Sequence, residues 1–158
     1  MIQNKINFDN EFSLNERLII KSIEHFCRPR VYPNFLNNLL KTRINKDIRR
    51  IGCTDSSDGL FQALQDLAVA SNCKAIINYE KLPKDKDWPK GDKWDEYYFF
   101  GGEDYELVFS LPKKWAKNIS KLNKNINEIG FFTDGEPSIE FKDNKKNKLL
   151  NNTPFKHF

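Results

Sequence analysis

The stretch DSSDGL, at residues 55–60, places two aspartates and two serines directly before an apolar helical pattern. A helix N-terminus has unpaired N–H groups and a partial positive charge, so it binds phosphate readily. Asp55 and Asp58 flank this strand-to-helix turn, and both carboxylates could reach one Mg²⁺ ion or two neighbouring ions. Gly59 permits close approach of the backbone to a ligand. The simpler alternative is that Ser57 or Asp58 caps the helix and Asp55 starts a turn.

A second stretch of glycine and carboxylate residues, GGEDYELVF, occupies residues 101–109. Glu103, Asp104 and Glu106 fall within four positions, just before an apolar strand pattern. Buried carboxylates without partners are costly, so these side chains either face solvent or pair with a cation or a polar ligand. Taken alone, the stretch is also compatible with a solvated turn that leads into a strand.

Hydrophobic periodicity predicts the elements that position these two stretches. The order predicts an α+β domain, a mixed β-sheet with helices packed on it, and a single domain over residues 1–158. Helices are predicted at 13–26 (with Ser13 and Glu16 as a capping box), at 34–42, at 60–71 and from Pro112 onward through Trp115 in the core. Strands are predicted at 75–79, 106–111, 127–133 and 138–142, the last two joined by a hairpin-like turn; 49–53 is predicted to be extended and 83–96 to be a polar loop.

Length and hydropathy are those of a soluble domain that can bury its own core. The chain has 158 residues, of which 39% are hydrophobic, and no apolar run reaches the length of a membrane span. Residues 1–12 lack the apolar core of a signal peptide, which predicts a cytoplasmic protein. Cys27, Cys53 and Cys73 are scattered, which predicts reduced, buried thiols rather than disulfides or a zinc site.

The net charge of +4 does not predict nucleic-acid binding. Lysines are interleaved with Asp and Glu along the chain, and the densest lysine runs, at 84–93 and 142–148, are interpreted as solvated loops. His25 and His157 are interpreted as structural or surface groups.

The two stretches together resemble the thiamine-monophosphate kinase family. DSSDGL followed by GGEDYEL is similar to the motif order D-x-S-D-G-L and G-G-E-D-Y-E-L in the C-terminal half of those enzymes. Leu82-Pro83 resembles the element between the motifs, His25-x-x-x-Pro29-Arg30 loosely resembles H-x-x-P-x-x-R, and the closing FKHF resembles an aromatic-x-His-Phe terminus. The wider superfamily, which includes aminoimidazole-ribonucleotide synthase, uses ATP without a P-loop, and this sequence has no G-x-x-x-x-G-K-[ST]. The implied fold is that of the C-terminal domain of aminoimidazole-ribonucleotide synthase.

The resemblance implies ATP-dependent phosphorylation of thiamine monophosphate to thiamine diphosphate, with Mg²⁺ ions bridging the phosphates. No residue is assigned as catalytic. The binding residues that the motifs imply are the metal ligands Asp55 and Asp58, the ATP contact Ser57, and the substrate contacts Glu103, Asp104, Tyr105 and Phe155.

The chain departs from the family in length. The family's N-terminal half supplies a second set of acidic metal ligands and most of a homodimer interface, and we find no counterpart here. We therefore expect a fragment that corresponds to the C-terminal half, lacks the N-terminal ATP- and Mg-binding half, and is inactive or nearly so alone. The alternatives are another ATP-dependent member of the superfamily and a non-catalytic binding module that kept the fold. Ser56 stands at a position that is often apolar in the family.

Overall fold

Helices and strands alternate along the chain in this computed structural model, which describes residues 15–28, 35–42 and 51–151. The predicted α+β class is confirmed. The helices are α1 (Glu16–Cys27), α2 (Phe35–Lys41), α3 (Leu60–Ser71), α4 (Asp92–Phe100) and α5 (Lys113–Leu122). The strands are β1 (Gly52–Asp55), β2 (Cys73–Ile77), β3 (Leu107–Ser110), β4 (Gly130–Asp134) and β5 (Ser138–Phe141), and short 3₁₀ helices span Tyr79–Lys81 and Asn144–Asn151.

Within the described residues, the strands form two sheets rather than one. β1 and β3 make an antiparallel pair, while β2 lies at the centre of a mixed sheet with the order β4-β2-β5. β2 is antiparallel to β4 and parallel to β5. The predicted hairpin between the last two strands is therefore wrong, because β2 lies between them. Ala75 and Ile77 of β2 are both buried, and they lie on the same face of the sheet.

The main core lies between the mixed sheet and helices α3 and α4. Leu64 and Ala68 of α3 pack with Ile77 of β2, Phe99 of α4 and Phe141 of β5. The helical spacing of the apolar residues in α3 places one face of the helix on the sheet, as the sequence predicted.

A second apolar cluster joins α2 to α5. Trp115 and Ile119 pack against Leu39, and these side chains are at most 2% exposed. The Trp115 indole Nε1 donates to the Leu39 carbonyl oxygen and to Thr42 Oγ1, both at 2.9 Å. Trp115 is thus a core residue, as predicted, with its polar atom satisfied.

The prediction that residues 83–96 form a polar loop is wrong at its end, because α4 begins at Asp92. Gly91, at φ +125°, provides the turn into the helix. Asp95 in the first turn is 4% exposed, and it accepts hydrogen bonds from Lys84 Nζ at 2.7 Å and Lys146 Nζ at 2.9 Å. The two lysine runs therefore do not consist only of solvated residues.

Helix α1 begins later than predicted. Its N-cap is Asn15, whose side chain accepts from the Arg17 backbone N–H; Ser13 lies outside the described residues. Of the apolar stripe on this helix, Leu18 is buried, but Ile23 and Phe26 are 54% and 62% exposed.

The three cysteines carry free thiols, but they are not buried as predicted. Cys27 and Cys53 are exposed, and Cys73 is half-buried. Although the Cys53 residue is exposed, neighbouring protein atoms displace part of the water around its thiol, and this effect and the nearby Asp55 carboxylate raise the pKa of the thiol. Among the described residues, no helix has the length and apolar character required to cross a bilayer.

Candidate functional site

The antiparallel pairing of β1 and β3 brings the two motif stretches together. β1 ends where DSSDGL begins, and β3 begins where GGEDYE ends. In the register of this pair Asp55 lies opposite Leu107 and Gly52 opposite Ser110. Because antiparallel strands run in opposite directions, the end of one strand lies beside the start of the other. The loop of residues 55–59 and the segment of residues 101–106 therefore meet at one edge of this sheet.

Three hydrogen bonds join the loop to the segment. The Glu103 backbone N–H donates to the Ser57 carbonyl oxygen at 2.7 Å. The Ser56 backbone N–H donates to the Glu106 carbonyl oxygen at 2.9 Å, and the Glu106 N–H donates to Ser56 Oγ at 3.1 Å. Ser56 is 4% exposed, so its hydroxyl is held in the interior. The two motifs thus form one continuous unit.

Glycines make this close contact possible. A Cβ atom on Gly102 would lie 2.4 Å from the Ser57 carbonyl oxygen, and one on Gly59 would lie 3.0 Å from the Phe100 carbonyl oxygen. Gly59 also has φ +93°, which L residues with side chains rarely adopt. Gly59 was predicted to allow a ligand to approach the backbone; in the structure it allows the other motif to approach.

The Asp55 side chain forms a local turn. Its Oδ1 atom accepts from the Ser57 backbone N–H at 3.0 Å. Hydrogen bonds from the Ser57 side chain and backbone lower the pKa of Asp55. The structure therefore agrees with one part of the alternative interpretation, namely that Asp55 starts a turn.

The capping part of that interpretation is not seen. Helix α3 has Gly59 at its N-cap and receives no side-chain cap from the described residues. The exposed residues Asp55 and Asp58 lie just before this helix N-terminus, where the backbone N–H groups give a partial positive charge.

The segment from Glu103 to Tyr105 has an unusual backbone. Glu103 has φ +67° and Tyr105 has φ +51°, both in the left-handed region, which is uncommon for residues with a side chain. Glu103, Asp104 and Tyr105 are all exposed. Such conformations persist only where surrounding contacts hold them, and they cluster at functional sites.

His25 of α1 reaches this segment, a contact that sequence reasoning missed. Its Nε2 atom lies 3.1 Å from the Asp104 carbonyl oxygen and 3.7 Å from Glu106 Oε1. Neighbouring protein groups displace water from the Asp104 carboxyl and raise its pKa, while the His25 imidazole acts in the opposite direction. No local pattern could have shown this contact, because the two residues are far apart in sequence.

The carboxylates suit a magnesium ion that takes part of its ligands from elsewhere. Within residues 15–28, 35–42 and 51–151, no group of three Asp, Glu, His or Cys side chains could hold a metal ion by itself. Magnesium commonly uses one or two carboxylates and completes its shell with phosphate oxygens and water. Asp55 and Asp58 fit that donor set. Phe155, predicted as a substrate contact, lies outside the described residues.

Comparisons with known sequences identify relatives of this chain. No protein-family model matches the chain. The chain is 37% identical over 123 residues to a thiamine-monophosphate kinase from Prochlorococcus marinus, covering 78% of this chain and 37% of that protein. It is 38% identical over 108 residues to a thiamine-monophosphate kinase from Nitrosopumilus maritimus, covering 66% of this chain and 34% of that protein. The chain therefore spans little more than a third of the length of these relatives.

Solved structures give the same result for the fold. A structure of AaThiL complexed with AMPPCP and TMP matches 86% of this chain and 41% of its own, with a TM-score of 0.59 and 28% identity. Thiamine-monophosphate kinase from Stenotrophomonas maltophilia K279a matches 58% of this chain and 31% of its own, with a TM-score of 0.52 and 26% identity. The fold is thus the one found in part of these kinase structures.

The resemblance carried by DSSDGL and GGEDYEL is confirmed. This chain is a relative of the thiamine-monophosphate kinases.

Proposed function

We propose that this chain is the C-terminal part of a thiamine-monophosphate kinase and that it binds thiamine monophosphate and ATP phosphate. The main support for this proposal is the direct contact between the two motif stretches, which we call the junction. In it, the Glu103 backbone N–H donates to the Ser57 carbonyl oxygen at 2.7 Å. The junction places the proposed nucleotide side and the proposed substrate side of the site next to each other. The names of the relatives and the AaThiL complex with AMPPCP, an ATP analogue, and TMP support the proposal.

The proposed nucleotide side is the loop of residues 55–59. Ser57 contacts ATP phosphate at the N-terminus of α3, where the helix dipole favours anions. Asp55 and Asp58 would hold Mg²⁺, and Mg²⁺, when bound, neutralises phosphate charge. The lowered pKa of Asp55 keeps that carboxylate ionised and able to act as a ligand.

The proposed substrate side is the segment of residues 103–105. Thiamine monophosphate carries a cationic thiazolium ring as well as a phosphate, and a carboxylate suits the cation. Glu103 contacts this substrate, while Asp104 and Tyr105 shape its pocket. Phe155 is proposed as an aromatic contact from the C-terminal end of the chain.

The proposed reaction is phosphoryl transfer. The bond between the γ-phosphorus of ATP and the β,γ-bridging oxygen breaks, and a phosphate oxygen of thiamine monophosphate forms the new bond, which gives ADP and thiamine diphosphate. Both reactants are anionic, so catalysis depends on positioning and on neutralising charge. The chain's own contribution is to hold the two ligand sides in a fixed relation. A cytoplasmic location for this reaction is part of the proposal.

We further propose that residues 1–158 form one domain and that an N-terminal half completes the site. The chain covers 37% and 34% of two kinases that it resembles, which leaves most of their length without a counterpart. The proposed N-terminal half supplies the remaining acidic ligands and the homodimer interface. Alone, the chain is then inactive or nearly so.

Isothermal titration of the purified chain with thiamine monophosphate and with Mg·ATP tests the function. We expect weak binding of both, with ATP binding that requires Mg²⁺ and disappears in the double variant Asp55→Asn/Asp58→Asn. Thiamine without phosphate is the matched ligand control and should bind more weakly. Binding of a precursor of aminoimidazole ribonucleotide in preference to thiamine monophosphate would assign the chain to another branch of the superfamily. Absence of both binding events would contradict a ligand-competent half-site.

A further inference from the structure

Residue His25 of α1 contacts the middle of the proposed substrate segment. Its Nε2 atom lies 3.1 Å from the Asp104 carbonyl oxygen. A carbonyl oxygen can only accept, so Nε2 carries the proton in this hydrogen bond. The same nitrogen lies 3.7 Å from Glu106 Oε1. His25 therefore has a backbone contact and a carboxylate contact within a short stretch of the segment.

The contacted carbonyl group belongs to the residue between two left-handed residues. Glu103 at φ +67° and Tyr105 at φ +51° flank Asp104. The ends of the segment are already fixed, since Glu103 N–H donates to the Ser57 carbonyl oxygen and Glu106 bonds to Ser56 in both directions. His25 supplies the contact in the middle. A strained backbone of this kind relaxes unless contacts hold it. The hydrogen bond from His25 is one such contact.

Helix α1 is itself fixed, which allows it to hold another segment. Arg17 Nη2 pairs with Asp85 Oδ1 at 2.5 Å and also with the Asp87 carboxylate, and Lys21 Nζ pairs with Asp85 Oδ2 at 2.8 Å. Leu18 on the same helix is 5% exposed. His25 thus projects from an anchored element rather than from a loose one.

We propose that His25 is a positioning residue that holds residues 103–106 in the observed conformation, with Glu103 and Tyr105 left-handed, and thereby sets the affinity for thiamine monophosphate. Only the second half of this proposal, the effect on affinity, rests on the proposed function. Its first half concerns the chain without ligands and can be tested without them.

The structural test compares His25→Phe, which keeps a ring and lacks the nitrogen donor, with His25→Gln, whose amide nitrogen can occupy the place of Nε2. If the His25→Phe variant does not fold, His25→Ala is used as the non-donor variant instead. Ser22→Ala, an exposed position on the same helix, is the control. The measurements are ¹³Cα shifts of Glu103 and Tyr105 and amide exchange of residues 103–106 in the ligand-free chain.

We expect the non-donor variant to move both ¹³Cα shifts away from left-handed values and to speed amide exchange in the segment about three- to tenfold, the worth of one hydrogen bond. His25→Gln should restore both signals. Unchanged shifts and exchange in the non-donor variant, relative to Ser22→Ala, would overturn the proposal.

Titration with thiamine monophosphate tests the second half. Affinity should fall about three- to tenfold in the non-donor variant and recover in His25→Gln. If the wild-type chain binds no thiamine monophosphate but the segment responds as expected, the proposed function of the isolated chain fails while the positioning of the segment stands. If the wild type binds and the variants bind equally well, His25 does not set the affinity.

Discussion

Ser56 links the two halves of the site through its backbone and its hydroxyl group. It is 4% exposed and exchanges two hydrogen bonds with Glu106. An apolar side chain at this position could fill the space but could not accept from the Glu106 N–H. The serine at this position therefore has a specific structural use in this chain.

Ser56→Ala should lower the free energy of unfolding by about 1 kcal/mol, because the Glu106 N–H loses its acceptor. Urea denaturation followed by circular dichroism measures the change. Ser120→Ala is a matched control, since the Ser120 hydroxyl donates to the Lys117 carbonyl oxygen in a solvent-exposed hydrogen bond, and it should change stability by less than about 0.5 kcal/mol. Equal effects of the two substitutions would show that the buried hydroxyl contributes nothing specific.

Gly102→Ala should separate the loop from the segment. Its Cβ would lie 2.4 Å from the Ser57 carbonyl oxygen, so the backbone must shift, at a cost of about 2 kcal/mol. Thermal unfolding should show the loss, and calorimetry should show weaker binding of thiamine monophosphate.

Gly91→Ala is the comparison for Gly102→Ala. Gly91 has φ +125°, and among described atoms none lies within 4 Å of an added Cβ. This variant should cost stability through backbone strain and leave ligand binding unchanged. Equal binding by both variants would argue against a functional role for the close contact of the motifs.

At the residue scale, the motifs indicated which two stretches belong together but not which atoms join them. Asp55, Ser57 and Glu103 were singled out by motif, and the structure joins their two stretches. Ser56 was noted only as a departure from the family, and His25 was interpreted only as a structural or surface group. Their roles depend on the β1–β3 register and on the path of α1, and neither is encoded in local spacing.

At the scale of elements, a buried charge cluster fixes α4, the helix that leads into GGEDYEL. Asp95 accepts from Lys84, Lys146 and the Tyr79 hydroxyl, and the two lysine ammonium groups also lie about 4 Å from the centre of the Tyr79 ring. The same arrangement raises the pKa of Tyr79, through burial first and then the hydrogen bond to Asp95. Asp95 thus holds the start of α4. The last residue of this helix, Phe100, directly precedes Gly101 of GGEDYEL.

Asp95→Asn should destabilise the fold by about 3 kcal/mol at neutral pH, because it removes the charge that compensates two partly buried lysines. Chemical denaturation measures the loss. Asp92→Asn removes an exposed pair with Lys148 and should cost less than about 1 kcal/mol. A loss of the same size in both variants would show that burial of the Asp95 cluster has no energetic weight.

The pKa of Asp95 determines how the stability difference between wild type and Asp95→Asn changes with pH. Burial raises the pKa of Asp95, but hydrogen bonds from Lys84, Tyr79 and Lys146 outweigh it, and the pKa lies below its ordinary value. Such a carboxyl stabilises the fold above its unfolded pKa of about 4 and loses this contribution as the pH falls through the lower folded value. The stability difference between wild type and Asp95→Asn should therefore shrink below about pH 4. The difference isolates Asp95 from Asp55 and Asp85, whose pKa values are also lowered.

Elements with a clear apolar period were predicted well, and elements defined by distant partners were not. Helix α3 has the predicted bounds, Leu60–Ser71, because its apolar residues recur on one face. Helix α4 was missed because its DKWDEYYFF sequence lacks that pattern and its position depends on Asp95. Strands β4 and β5 were found, but their pairing was wrong because the strand between them comes from much earlier in the chain.

At the scale of the whole molecule, we propose that the site is half of a larger arrangement. The purified chain should release no ADP from ATP and thiamine monophosphate above the background of Asp55→Asn/Asp58→Asn, because the described residues offer no complete set of metal ligands. A coupled ADP assay measures this. Turnover that is abolished by the double substitution would contradict the need for an N-terminal half.

The main-chain character of the Glu103–Ser57 contact also bears on mutational tolerance. Main-chain groups are the same for almost every residue type, so the junction places little demand on the side chains of Ser57 and Glu103 themselves. The demand falls on Gly59 and Gly102, which have no room for a Cβ. In a collection of variants selected only for folding, the two glycines should persist while the Glu103 side chain drifts. Retention of the Glu103 carboxylate then records selection for ligand binding rather than for the fold.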